Sequence, residues 1–267
     1  MDVLDDTMYR ERLDSQNMLR PIRELPMQIQ CAWQQVHESV ELPTLHPANV
    51  VILGMGGSAI GGDIARSLVA EHSPIPIIVH RDYGVPACVD KHSLVIAVSY
   101  SGNTEETLSG FDAAVERGAH VFAIAAGGEL IDRASKHGVP YYKFDYETQP
   151  RAALGYLLTP ILAIFNSVGI YSIDDSLISE AVRCMHEEQR HWDADTPTES
   201  NSAKQLAHTL AGYIPVVCAS QPLTVVARRW KTQFNENANC ACFFEELPEL
   251  CHNMVVGFDY PDELSKR

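Results

Sequence analysis

Basic residues are scarce in this chain: 20 Lys and Arg stand against 35 Asp and Glu, a formal charge of −15. That balance argues against nucleic acid or an anionic membrane surface as the main partner, because both recruit cationic patches. It leaves room for a small anion, which a few backbone N–H groups and an arginine hold locally. No apolar run reaches the ~18 residues of a membrane span. Met1 to Asp14 is acidic and lacks the basic-then-apolar pattern of a signal peptide. No two of the seven cysteines form a C-x-x-C pair, so neither a zinc ribbon nor a thioredoxin-like site is suggested. Their odd number and their place inside apolar stretches fit free thiols in a reducing cytoplasm. Fixed short repeats and low-complexity segments are also missing.

What remains is 46% hydrophobic and, at 267 residues, long enough for one large domain or two ordinary ones. The organising stretch runs from Asn49 to Thr107. It holds two strand-loop-helix units, each opening with an unbroken apolar run of the kind buried on both faces of a parallel sheet. The pattern predicts strands at Val50–Leu53, Ile75–Val79, Leu94–Val98, Val121–Ala125 and Tyr141–Phe144. Helices are predicted near Ser58–Glu71, Thr104–Arg117 and Leu130–Lys136. The fold class is therefore α/β, with a doubly wound parallel sheet. Residues 1–48 give a helical lead-in, its two helical patterns (Met18–Leu25 and Met27–Val40) interrupted by Pro21 and Pro26. After 49–170, the stretch 171–267 reads as a partial second α/β domain. It begins with a helix from Asp174, capped by that residue or Asp175. It then shows one convincing buried strand, Ile214–Ala219, and a helix over Leu223–Asn237. The segment Glu245–Phe258 shows little sign of a regular element.

The first loop, Gly54-Met55-Gly56-Gly57-Ser58-Ala59, satisfies the loose G-x-G-x-x-A dinucleotide pattern, with Asp82 placed to hold a ribose. Alone it is equally compatible with another phosphate ligand or with tight packing. The second loop, Ser99-Tyr100-Ser101-Gly102-Asn103-Thr104, sets three hydroxyls around a turn before a helix, where free N–H groups grip a monophosphate. Helix capping by Ser101 or Asn103 accounts for one hydroxyl, not three.

These residues carry a resemblance. Ser99 to Thr107 resembles the phosphosugar loop of the sugar isomerase (SIS) domain family. Gly54 to Asp63, Arg229 to Ala238 and Glu246 to Asn253 are similar to motifs of the bifunctional phosphoglucose/phosphomannose isomerases. The resemblance implies an aldose–ketose isomerase acting on glucose 6-phosphate and mannose 6-phosphate. It implies that Glu236 is the base, His252 opens the sugar ring and Arg151 stabilises the enediolate. It assigns the phosphate to Gly57, Ser58, Ser99, Ser101 and Thr104, requires neither metal nor organic cofactor, and implies a cytoplasmic homodimer whose shared site takes its histidine from the partner. That family continues beyond the equivalent of Arg267, so the second domain is expected to be incomplete here, and Cys251 stands where the family has Asn. A non-catalytic sugar-phosphate module and an NAD-dependent oxidoreductase are the rival readings.

Overall fold

The computed structural model describes residues 2–257. Three helices open the chain: α1 (Thr7–Leu13), α2 (Leu19–Arg23) and α3 (Leu25–Ser39). Asp6 caps α1 by accepting the N–H groups of Met8 and Tyr9. Pro21 and Pro26 do not interrupt these helices. Each sits in a first turn, where its missing N–H removes no intrahelical bond, and the break falls at Glu24.

Strand and helix then alternate: β1 (Asn49–Leu53), α4 (Gly56–Val69), β2 (Ile77–His80), β3 (Ser93–Val98), α5 (Glu105–Glu116), β4 (His120–Ala125), α6 (Gly128–His137) and β5 (Tyr141–Lys143). The five strands are all parallel and lie in the order β2-β1-β3-β4-β5. A 3-10 turn at Pro150–Ala152 precedes α7 (Leu154–Ser167), α8 (Asp175–Trp192) and α9 (Ser202–Leu210). Asp174, not Asp175, caps α8 by accepting the Leu177 N–H.

Both faces of the sheet are covered. Val51, Leu53, Val95, Ala97, Val121, Ala123 and Ala125 pack with Leu108, Phe111 and Ala114 of α5 and Leu130, Ile131 and Ala134 of α6. The alternate residues Val50, Ile52, Leu94, Ile96, Phe122 and Ile124 are equally inaccessible. α4 packs on β1 and β2, α7 packs on α4 and β4, and α3 packs on α7. Each fully buried Val, Leu or Ile stabilises the fold by ~1.5–3 kcal/mol. Every residue of α7 from Leu154 to Phe165 is buried. Among the described residues no helix is long and apolar enough to cross a membrane.

A second compact unit begins at Leu210. It contains β6 (Val216–Ala219), α10 (Thr224–Asn237), β7 (Phe243–Glu246), a 3-10 turn at Glu249–His252 and α11 (Met254–Gly257). Two expectations are corrected here. The strand predicted as buried is half-exposed, because its sheet has two strands and α10 packs against them. Glu245 and Glu246, expected outside regular structure, belong to β7, which pairs in parallel with β6. Backbone bonds from Phe243 N to Pro215 O (3.0 Å) and from Leu247 N to Ala219 O (2.9 Å) hold that strand, whose two glutamates hide it from an apolar pattern. Phe258, the last residue of that stretch, lies outside the described residues.

Candidate functional site

Strand order reverses direction between β1 and β3, since β1 leads to β2 on one side and β3 leads to β4 on the other. In open parallel sheets the crevice beyond such a switch point receives ligands. The two loops singled out in the sequence leave these two strands. α4 and α5 both begin there without a side-chain cap, at Met55 and Thr104 respectively. Uncapped first turns present N–H donors and the positive end of the helix dipole, a setting suited to an anion.

The hydroxyls are arranged in the same sense. Ser58 Oγ accepts the Tyr100 N–H at 3.1 Å, which joins the two loops directly. Ser99 Oγ accepts the Gly102 N–H at 3.1 Å and lies 2.9 Å from Thr104 Oγ1. Ser101 Oγ accepts the Asn103 N–H at 3.2 Å. A hydroxyl has one proton to give and two lone pairs. With a lone pair of Ser58 and of Ser101 engaged by a backbone donor, each proton remains to be donated onward. The expected capping of α5 by Ser101 or Asn103 is not observed, because both side chains bond elsewhere.

The second loop is rigidly backed. Asn103 Oδ1 accepts the Glu129 N–H (3.0 Å), Gly102 O accepts the Leu130 N–H (2.9 Å), and Tyr100 O accepts the Ala126 N–H (3.0 Å). Gly102 has φ +70°, and a Cβ there would lie 1.8 Å from Gly127 O, so glycine is required for both conformation and space.

Arg151 joins this cluster through its backbone. A Cβ on Gly57 would lie 2.8 Å from Arg151 N, so the glycine loop and the 3-10 turn touch main chain to main chain. Gln28, wholly buried on α3, braces the far side of that turn. It donates to Pro21 O at 3.2 Å and Ala152 O at 2.9 Å, and accepts the Gly155 N–H at 3.1 Å. Gln28 carries no recognisable motif; its one sequence signal is that a glutamine four residues before Ala32 and eight before Val36 interrupts the apolar stripe of α3.

Gly57, Ser58, Ser99, Ser101, Thr104 and Arg151 therefore meet at one end of the first sheet. Glu236 and His252 belong to the second unit, both exposed, at the end of α10 and in the 3-10 turn after β7. Burial pushes the Arg229 guanidinium below its ordinary value, and the Glu236 charge opposes that shift, so the two groups of α10 attract. Asp82, the candidate ribose ligand, accepts the N–H of Tyr83 at 2.8 Å. Among the described residues no cluster of His, Cys, Asp or Glu is placed to hold a metal ion.

Known proteins resemble the chain along most of its length. A family model described as "SIS domain" matches residues 45–140, and one described as "Bacterial phospho-glucose isomerase C-terminal SIS domain" matches residues 199–267. A bifunctional phosphoglucose/phosphomannose isomerase of Caldicellulosiruptor bescii is 40% identical over 92% of this chain and 74% of its own length. A D-glucosamine-6-phosphate 4-epimerase of Sulfolobus acidocaldarius is 32% identical over 84% of this chain and 69% of its own. Across four bifunctional isomerases at 37–41% identity, the chain spans 61–74% of the relative's length. The C-terminal domain of glucosamine-fructose-6-phosphate aminotransferase from Francisella tularensis shares the fold. Its TM-score is 0.68 at 14% identity, covering 93% of this chain and 78% of that one.

Proposed function

We propose that this chain, which belongs to the bifunctional phosphoglucose/phosphomannose isomerase family, interconverts glucose 6-phosphate and mannose 6-phosphate with fructose 6-phosphate through an enediolate. The observation that carries the reading is the pair of uncapped helix starts at the β1/β3 switch point, faced by hydroxyls that already accept backbone N–H bonds. A dianionic phosphate accepts what those groups donate, and hydrogen bonds to a charged group contribute ~1.5–3 kcal/mol each.

With the phosphate held by Gly57, Ser58, Ser99, Ser101 and Thr104, the sugar carbons extend toward the turn that carries Arg151. His252 opens the ring by moving a proton between the ring oxygen and the anomeric hydroxyl. The Glu236 carboxylate takes the C2 proton of the aldose and returns it to C1 while the O2 hydroxyl proton passes to O1, and the reverse sequence runs from the ketose. Arg151 offers paired donors to the enediolate oxygens, where negative charge develops. Glucose and mannose 6-phosphate differ only at C2, so one planar enediolate serves both.

The reading includes a cytoplasmic homodimer in which His252 serves the site of the partner. Exposed Phe243, Val255 and Val256 flank that histidine in sequence and support a protein contact there. It also includes a division into a phosphosugar-binding domain at 49–170 and a second SIS-type domain within 171–267. A C4 epimerisation of glucosamine 6-phosphate is the second reading, favoured by the Sulfolobus relative.

Incubation with fructose 6-phosphate in D2O separates the readings. Isomerase action puts deuterium on C1 of the recovered fructose 6-phosphate and on C2 of the glucose and mannose 6-phosphates that it yields. Binding without exchange indicates a non-catalytic module, and, in a parallel incubation with glucosamine 6-phosphate, conversion confined to C4 indicates the epimerase.

A further inference from the structure

We infer that Tyr100 is a positioning residue that couples the grip on the phosphate to the placement of Arg151. This inference rests on the functional reading above and adds a residue to it. Tyr100 sits between two of the phosphate-loop serines, and its groups reach three separate parts of the first unit. Its N–H binds Ser58 in the glycine loop, and its carbonyl accepts from Ala126 behind the loop. Its phenol donates to Tyr146 O at 2.8 Å and accepts the Thr148 N–H at 2.9 Å.

Beyond Phe144, whose N–H still bonds Ala125 O at 3.2 Å, residues 145–149 lie in no helix or strand on their way into the Arg151 turn. The Tyr100 hydroxyl bonds both a carbonyl and an N–H of this segment, while Arg20 holds the intervening Glu147 carbonyl at 2.8 Å. Thr148 lies three residues before Arg151. The tyrosine ring meets Phe144 at 5.9 Å, and Phe144 stacks on Tyr156 at 5.0 Å, so the lever is packed along its length. Beyond the turn, Gln28 holds Ala152 and Gly155. Arg151 is thus clamped on both sides, and the clamp before it belongs to the phosphate loop itself. The bonds that fix that loop therefore also set the segment that leads into Arg151.

Tyr100→Phe keeps the ring and removes the hydroxyl. Its test uses two ligands measured by calorimetry: inorganic phosphate, and 5-phospho-D-arabinonate, whose carboxylate stands in for the enediolate. The variant is expected to bind inorganic phosphate within twofold of wild type and the arabinonate about tenfold more weakly. In an Arg151→Ala background, which weakens the arabinonate by itself, adding Tyr100→Phe is expected to cost nothing further. Equal losses for both ligands, no loss for either, or additive losses in the double variant would each overturn the inference alone. A wild-type protein that binds the arabinonate no better than phosphate, or an Arg151→Ala protein unchanged toward it, would instead overturn the functional reading.

Discussion

The candidate residues of the first unit and those of the second are built in different ways. Ser58 and Ser99 are 5% and 1% exposed, each oxygen takes a backbone N–H, and the loop behind them is bonded to the start of α6. Glu236 and His252 stand on open surface, one at the last turn of a helix and the other in a short 3-10 turn. A phosphate is the same in every substrate and does not change during isomerisation, so a fixed cradle suits it. On the proposed function, the contrast is a division of work: the first unit holds the phosphate and the second moves the proton.

The largest expected effect tests that division directly. Glu236→Gln keeps shape and removes basicity, so kcat should fall by about 10²–10⁴-fold while the affinity for fructose 6-phosphate stays within twofold. A coupled assay together with calorimetry checks both halves. Loss of affinity in proportion to rate would place the carboxylate in binding and erase the distinction between the two units.

Next in size come the hydroxyls. Ser101→Ala and Thr104→Ala should each weaken fructose 6-phosphate by roughly 10- to 100-fold, the value of a hydrogen bond to a charged group. Deuterium exchange at saturating substrate should be nearly unchanged. A variant that loses exchange at saturation while retaining affinity would move proton transfer into the first unit.

The backing of the loop is tested by two glycines with the same φ of +70°. Gly102→Ala meets Gly127 O at 1.8 Å, whereas Gly118→Ala meets nothing within 4 Å. Conformational strain alone should cost Gly118→Ala ~1 kcal/mol in denaturant unfolding. Gly102→Ala adds a backbone clash, so it should cost at least ~2 kcal/mol and weaken inorganic phosphate as well. Equal destabilisation of the two variants would show that the loop yields, and that its rigidity plays no part in binding.

Much of this was legible in the residues. The apolar runs placed all five strands of the first sheet within two residues, most cleanly for the central β1, β3 and β4, which are buried on both faces, whereas the edge strands β2 and β5 are partly exposed. The hydroxyl loop stood out by composition alone, and it does lie at the β1/β3 switch point beside an uncapped helix start. The second strand of the second unit escaped notice, since Phe243-Phe244-Glu245-Glu246 shows no alternation and its pairing with β6 is made by the backbone. Tyr100 and Gln28 were invisible for a related reason: their partners are carbonyls and N–H groups of segments 46 and 124 residues away, which no local pattern encodes.

The smallest effect concerns a contact of the first unit that touches neither phosphate loop. Asp5 accepts from Lys204 Nζ at 2.7 Å and from the N–H and hydroxyl of Thr198 at 3.0 and 2.9 Å, tying the N-terminal turn to the approach of α9. Lys204 also donates to Thr196 O and is largely buried. The bond from Lys204 is the main cause that holds the Asp5 carboxyl down at about 2, against its ordinary 3.8, with burial opposing. A carboxylate whose folded-state value is depressed stabilises the fold above its unfolded value, and that contribution disappears as pH falls through the folded one. Asp5→Asn should therefore lower Tm at pH 7, with the gap to wild type constant down to about pH 4 and closing between about 4 and 2. Because the contact lies outside the loops, fructose 6-phosphate should bind the variant at pH 7 as it binds wild type. A gap in Tm that persists unchanged to pH 2 would assign the effect to lost packing rather than to the ion pair. Weakened ligand binding would show that the phosphate cradle depends on a brace outside its own loops.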